Sequence, residues 1–116
     1  VACSFCQEFG IDENEMFRIA EGFGLGMGVM EMCGALSGMA MIIGLSNSRG
    51  NTEEGSKTKG DTYKKLGTYI QKFKEKNGSC ICRELKGVET GKVLCSCPQC
   101  ITDAVALTEE YLAENR

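Results

Sequence analysis

The run Met32-Cys33-Gly34-Ala35-Leu36-Ser37-Gly38-Met39-Ala40-Met41-Ile42-Ile43-Gly44-Leu45 is the longest apolar stretch of the chain, fourteen residues without a charge. Leu36, Met39, Ala40 and Ile43 recur at steps of three and four, and Met32 and Ala35 widen the stripe nearly all round. This pattern predicts a helix that is apolar on every side and therefore buried. Fourteen residues fall short of the roughly 20 that cross a bilayer, so the helix is expected at the centre of a soluble core, without membrane insertion. Gly34 with Gly38, and Ala40 with Gly44, place small residues four apart on shared faces, where a neighbouring backbone can approach. Each glycine costs helix stability, and close packing or access to the cysteine is the expected compensation.

A chain of 116 residues is read as one domain, long enough to bury a core without covalent staples. Its eight cysteines, about 7% of the residues, therefore need another explanation. The net charge is −3 and the basic residues are scattered or paired with acids, which argues against a nucleic-acid partner. Nothing resembles a signal peptide, although a chain opening on Val1 is expected to have lost its beginning. The expected location is cytoplasmic, where clustered cysteines bind metal or turn over redox equivalents more often than they form lasting disulfides. There is no histidine, which excludes Ser-His-Asp and Cys-His catalysis and restricts any metal site to thiolates, carboxylates and backbone groups. With one proline, no tryptophan and few alternating β patterns, the chain is read as an all-α bundle of about five helices around the central one.

In order, Val1, Phe5 and Phe9 mark the end of a first helix that Gly10 stops. Cys3 and Cys6 lie one turn apart in it, most simply as two small buried residues. Asp12 and Glu15 form a capping box with Ile11 as its staple, opening a helix to about Gly22 whose inward stripe is Met16, Ile19, Ala20 and Phe23. The glycines at 22, 24, 26 and 28 do not have the G-x-G-x-x-G spacing, follow no strand and precede no Gly-Lys-Ser/Thr. They are read as a tight turn that brings the backbone close to Cys33. Residues 46–60 are read as a polar, Gly/Ser-rich loop, with an extension of the next helix into the part near Asn51 to Lys59 as the alternative. From Asp61 a helix resumes with Tyr63, Leu66, Ile70 and Phe73 inward and a solvated lysine face, closed by Asn77-Gly78.

The last third holds five of the eight cysteines. Cys80-Ile81-Cys82 precedes a single helical turn, Arg83 to Lys86, ended by Gly87, and Val88 to Leu94 is a loop or short extended piece. Cys95-Ser96-Cys97-Pro98-Gln99-Cys100 opens the terminal helix, whose stripe is Ile101, Ala104, Val105, Thr108, Tyr111 and Leu112. Pro98 suits the first helical position, which puts Cys97 at or near the N-cap. Unpaired N–H groups there favour a thiolate, the nucleophile of disulfide exchange. Cys100, one turn along, is a natural resolving partner, with Cys95 and Cys82 as alternatives. Thioredoxin-like oxidoreductases use the same local device, but no βαβ pattern surrounds it here.

The segment Cys33-Gly34-Ala35-Leu36-Ser37-Gly38 resembles the CGAxxG motif of the C_GCAxxG_C_C family of redox-active proteins. The similarity extends to Gly22 through Gly28, to Cys82-Arg83-Glu84-Leu85-Lys86-Gly87 and to Cys97-Pro98, and so covers most of the chain. The family pattern has a further upstream cysteine in an Asn-Cys setting; neither Cys3 nor Cys6 is equated with it. The resemblance implies redox or metal chemistry at cysteines. The leading reading is a thiol–disulfide site at Cys33, Cys82 and Cys97, with Cys100 next, served by a redox partner protein or a small thiol. A second reading is a zinc or iron–sulfur centre on Cys80, Cys82, Cys97 and Cys100, although Cys-x-Cys strains zinc geometry and the spacing matches no standard iron–sulfur run. A third is a helical binding module with a methionine-lined pocket near Cys33.

Overall fold

The computed structural model describes residues 1–55 and 57–115. Helix α1 (Ala2–Phe5) tightens into a 3₁₀ turn, Cys6–Phe9, that Gly10 closes at φ 77°. Helix α2 (Glu13–Ala20) starts where the sequence places it, because the Asp12 carboxylate accepts a hydrogen bond from the Glu15 amide at 3.1 Å. A further 3₁₀ turn, Glu21–Phe23, follows. Then come α3 (Gly34–Asn47), α4 (Lys59–Asn77), α5 (Cys82–Lys86) and α6 (Cys97–Asn115). The fold is all-α, with six α-helices and no strand element among the described residues.

Helix α3 is the centre of the packing and touches α1, α4 and α6. Leu36, Met39, Ile42 and Ile43 are fully buried on it, while Leu45 at its end is open to solvent. The small residues at its start work as the spacing suggested. A Cβ added to Gly34 would lie 2.8 Å from the Phe23 carbonyl oxygen, and one on Gly38 would lie 3.2 Å from the Ala2 amide nitrogen. Gly44 has open space around it, so that pair seats no neighbour.

Three local expectations change. The loop expected at 46–60 is shorter: Ser46 and Asn47 complete α3, Lys59 and Gly60 begin α4, and Ser56 lies outside the described residues. The Asn47 side chain joins the two helix ends, donating to Thr62 Oγ1 at 2.8 Å and accepting from Lys65 Nζ at 2.9 Å. On α4 the inward tyrosine is Tyr69 and not Tyr63, which is 60% exposed. Tyr69 completes the three-and-four spacing of Leu66, Ile70 and Phe73, and its ring meets Tyr111 of α6 edge-on at 5.6 Å. On α2 only Met16 is buried, and Ile19 is exposed to solvent.

Candidate functional site

The glycine-rich stretch forms a left-handed turn beside the start of α3. Leu25, Gly26, Met27, Gly28 and Met30 all have positive φ, from 52° to 76°. Three of these are not glycine, so the segment holds a conformation that L-residues disfavour. The Glu31 amide closes it onto the Gly26 carbonyl at 3.0 Å.

The chain then passes antiparallel to the segment before α5. Met32 and Ile81 form an isolated bridge, in which the Cys33 amide donates to the Cys80 carbonyl at 2.9 Å and the Cys82 amide donates to Glu31 at 2.6 Å. This fixes Cys33, the N-cap of α3, beside Cys82, the first residue of α5. Gly87 ends α5 at φ 68°, and the loop folds back so that the Leu94 and Cys95 amides both donate to the Leu85 carbonyl, at 3.0 and 3.3 Å. That return sets Cys95 beneath α5 and starts α6 at the same place. Cys97 is the first residue of α6, and the cap is one residue earlier than the sequence suggested, since Ser96 Oγ accepts from the Gln99 amide at 3.3 Å.

The result is a cavity of about 290 Å³ lined by five thiols, Cys33, Cys82, Cys95, Cys97 and Cys100. Apolar groups such as Ala35, Leu85 and Ile101 complete it, and Lys86 is the one charged side chain among its described lining residues. Cys97 is exposed, whereas Cys33, Cys82, Cys95 and Cys100 retain 8, 7, 6 and 4% of their surface. Cys82 feels both Cys33 and Cys97, and burial pushes its thiol above the ordinary value against the opposing pull of the Lys86 ammonium. Cys100 is pushed up by burial and by hydrogen bonding with Cys95 and Cys33, and its thiol also donates to the Cys95 carbonyl oxygen at 3.8 Å.

Behind the cavity, Asp103 of α6 is held by Lys76 Nζ at 2.7 Å, Gln99 Nε2 at 2.8 Å and Asn77 Nδ2 at 3.2 Å. Burial alone would raise its carboxyl, but these three donors outweigh it and hold the group below the usual carboxylate range. Gln99 lies between Cys97 and Cys100, so this anchor ties the Cys-Pro-Gln-Cys turn to the end of α4.

Of the site residues read from the sequence, Cys33, Cys82, Cys97 and Cys100 all line this one cavity. Cys80 is buried outside its lining, so the set Cys80, Cys82, Cys97 and Cys100 does not share one chamber. Among the described residues no group of three or more Cys, Asp or Glu side chains is arranged to hold a metal ion. Cys95, which the sequence offers only as an alternative resolving partner, lines the cavity as well. Its Cys-x-Cys spacing to Cys97 is visible in the chain, but the fold-back onto Leu85 is not. Cys3 and Cys6 lie apart from the cavity, and burial raises the thiol of the fully enclosed Cys6.

No described helix is long and apolar enough to cross a membrane. No curated protein and no solved structure matches the chain. A family model does, over residues 1–111, and of the positions that drew the sequence resemblance Cys33, Gly34, Ala35, Cys82 and Cys97 line the cavity. The chain belongs to the family described as "Putative redox-active protein (C_GCAxxG_C_C)".

Proposed function

We propose that the chain carries out thiol–disulfide exchange at this cavity, with Cys97 as the attacking thiol and Cys82 as the resolving one. The observation that carries the reading is a single exposed thiol, Cys97, opening onto a chamber whose other four thiols are buried. The Cys97 sulfur attacks one sulfur of a substrate disulfide, forming a mixed disulfide, and the other substrate sulfur departs as a thiolate that takes up a proton. The Cys82 sulfur then attacks the Cys97 sulfur. A Cys82–Cys97 disulfide forms, the second substrate thiol leaves, and two electrons have passed to the substrate. Cys82 is preferred to Cys100 as the resolving group because its electrostatic neighbours include Cys97, whereas the Cys100 thiol is engaged with Cys95 and Cys33. The substrate disulfide belongs to a partner protein or a small thiol, and the cytoplasm is the setting in which such a dithiol would be kept reduced.

The test is a count of alkylatable thiols by denaturing intact mass, before and after mild oxidation with glutathione disulfide. Loss of a Cys82–Cys97 pair, reversed by a small dithiol, is the expected result. An unchanged count of eight would overturn the reading.

A further inference from the structure

Resting on that exchange reading, we propose that the cavity is a two-stage relay in which the disulfide formed at Cys82–Cys97 is passed inward to a Cys33–Cys100 pair. The protein would thus deliver four electrons from one chain. The geometry gathers the four thiols: all line one cavity, Cys97 and Cys100 stand one turn apart on α6, Cys33 and Cys82 flank the Met32–Ile81 bridge, and of the four only Cys97 is exposed. The main-chain bridge between Met32 and Ile81 holds the middle two, Cys33 and Cys82, at the crossing point.

The transfer balances without an external oxidant. The Cys33 sulfur attacks Cys82, the Cys82–Cys97 bond breaks, and Cys97 leaves as a thiolate that takes the proton given up by Cys33. The Cys100 sulfur then attacks Cys33, displacing Cys82, which takes the proton from Cys100. One disulfide has moved and no electron has been gained or lost, so the outer pair is again a dithiol and reduces a second substrate disulfide. Direction follows from environment. A thiol whose ionised form is penalised by burial is a poor leaving group, so a disulfide that includes Cys100 resists re-opening, while the exposed Cys97 departs into solvent. Cys95 borders the inner end, its carbonyl oxygen accepting from the Cys100 thiol.

The experiment follows the reduced full chain, exposed to glutathione disulfide and quenched by alkylation over time, with each bridge located by peptide fragmentation. The wild type is expected to lose two thiols as Cys82–Cys97 and then two more as Cys33–Cys100. Cys97→Ser, at an exposed position that burdens folding little, is expected to form the inner bridge at least about tenfold more slowly. If the wild type stops at Cys82–Cys97, the relay is wrong while the exchange reading stands. If no thiol is lost, both fail. An inner bridge that forms in Cys97→Ser at the wild-type rate, or a Cys95–Cys100 bridge in its place, overturns the relay alone.

Discussion

Gly26 sits so close to Cys82 that a Cβ built on the glycine would come within 2.9 Å of the Cys82 Cβ. The same atom would lie 2.5 Å from the Glu31 amide nitrogen, which is backbone and has no rotamer with which to yield. Gly26 also has φ 56°, a conformation in which any L-residue is strained. Gly26→Ala is therefore expected to lower stability by about 2–3 kcal/mol in urea unfolding and to speed alkylation of Cys82 in the native protein. Gly28, two residues on, has φ 76° but nothing within 4 Å of an added Cβ, so Gly28→Ala should cost only the conformational share, about 1 kcal/mol. Equal losses for the two variants would show that the contact with Cys82 and Glu31 does not matter.

Asp103 is expected to be the most sensitive polar residue outside the cavity. Its carboxylate accepts from Lys76, Asn77 and Gln99 while only 6% exposed. Asp103→Asn keeps the shape but turns an NH₂ group toward these donors, and a loss of about 2 kcal/mol is expected. The pH dependence has a definite sign. The folded carboxyl is held below its unfolded value, so its contribution is complete above the ordinary carboxylate pKa of 3.8 and is lost as pH falls through the lower folded value. Melting temperatures of the wild type should drop over that acid window more steeply than those of Asp103→Asn.

Much of this arrangement was legible in the chain because it follows from local rules. The charge-free run from Met32 to Leu45 could satisfy its burial only at the centre of a helical core, and the Asp12 cap and Gly10, Gly78 and Gly87 stops fixed where neighbouring segments begin and end. That Cys33, Cys82 and Cys97 would come to one end of the central helix was also readable, since each stands at the start of a helical segment, and all three line one cavity. What could not be read depends on contacts between distant segments. On α2 the neighbouring segments cover Met16 and leave Ile19 open to solvent. The exchange of Tyr63 for Tyr69 on α4 was set by the presence of Tyr111 and Glu114 on α6, the latter accepting a hydrogen bond from the Tyr69 hydroxyl. Cys80 and Cys82, two residues apart, differ in that only Cys82 reaches the cavity, a distinction made by the bridge between Met32 and Ile81.

Native alkylation should sort the thiols by access. Brief treatment with iodoacetamide is expected to modify Cys97 first, as the exposed thiol, with the half-buried Cys3 following and the fully enclosed Cys6 last. Peptide mapping of the singly modified protein checks the order. Modification of Cys6 before Cys97 would contradict the burial that the site argument uses.

Stability should fall on the alkaline side. Burial raises the thiols of Cys6, Cys82 and Cys100 above their ordinary value of 9.0, and burial together with the Glu114 carboxylate raises the Tyr69 hydroxyl above 10.0. These groups are neutral in the folded core, and the unfolded chain releases their protons at lower pH than the native one does. Between the two pKa values the native state holds more protons, so the stabilisation is complete below pH 9.0 and is lost as pH rises through the folded values. The midpoint of urea unfolding under reducing conditions is therefore expected to hold nearly level up to that point and then to decline. Cys82→Ala should blunt the decline, because it removes one proton from the linkage and leaves the rest of the core in place. A decline that Cys82→Ala leaves unchanged would show that burial does not raise the Cys82 thiol.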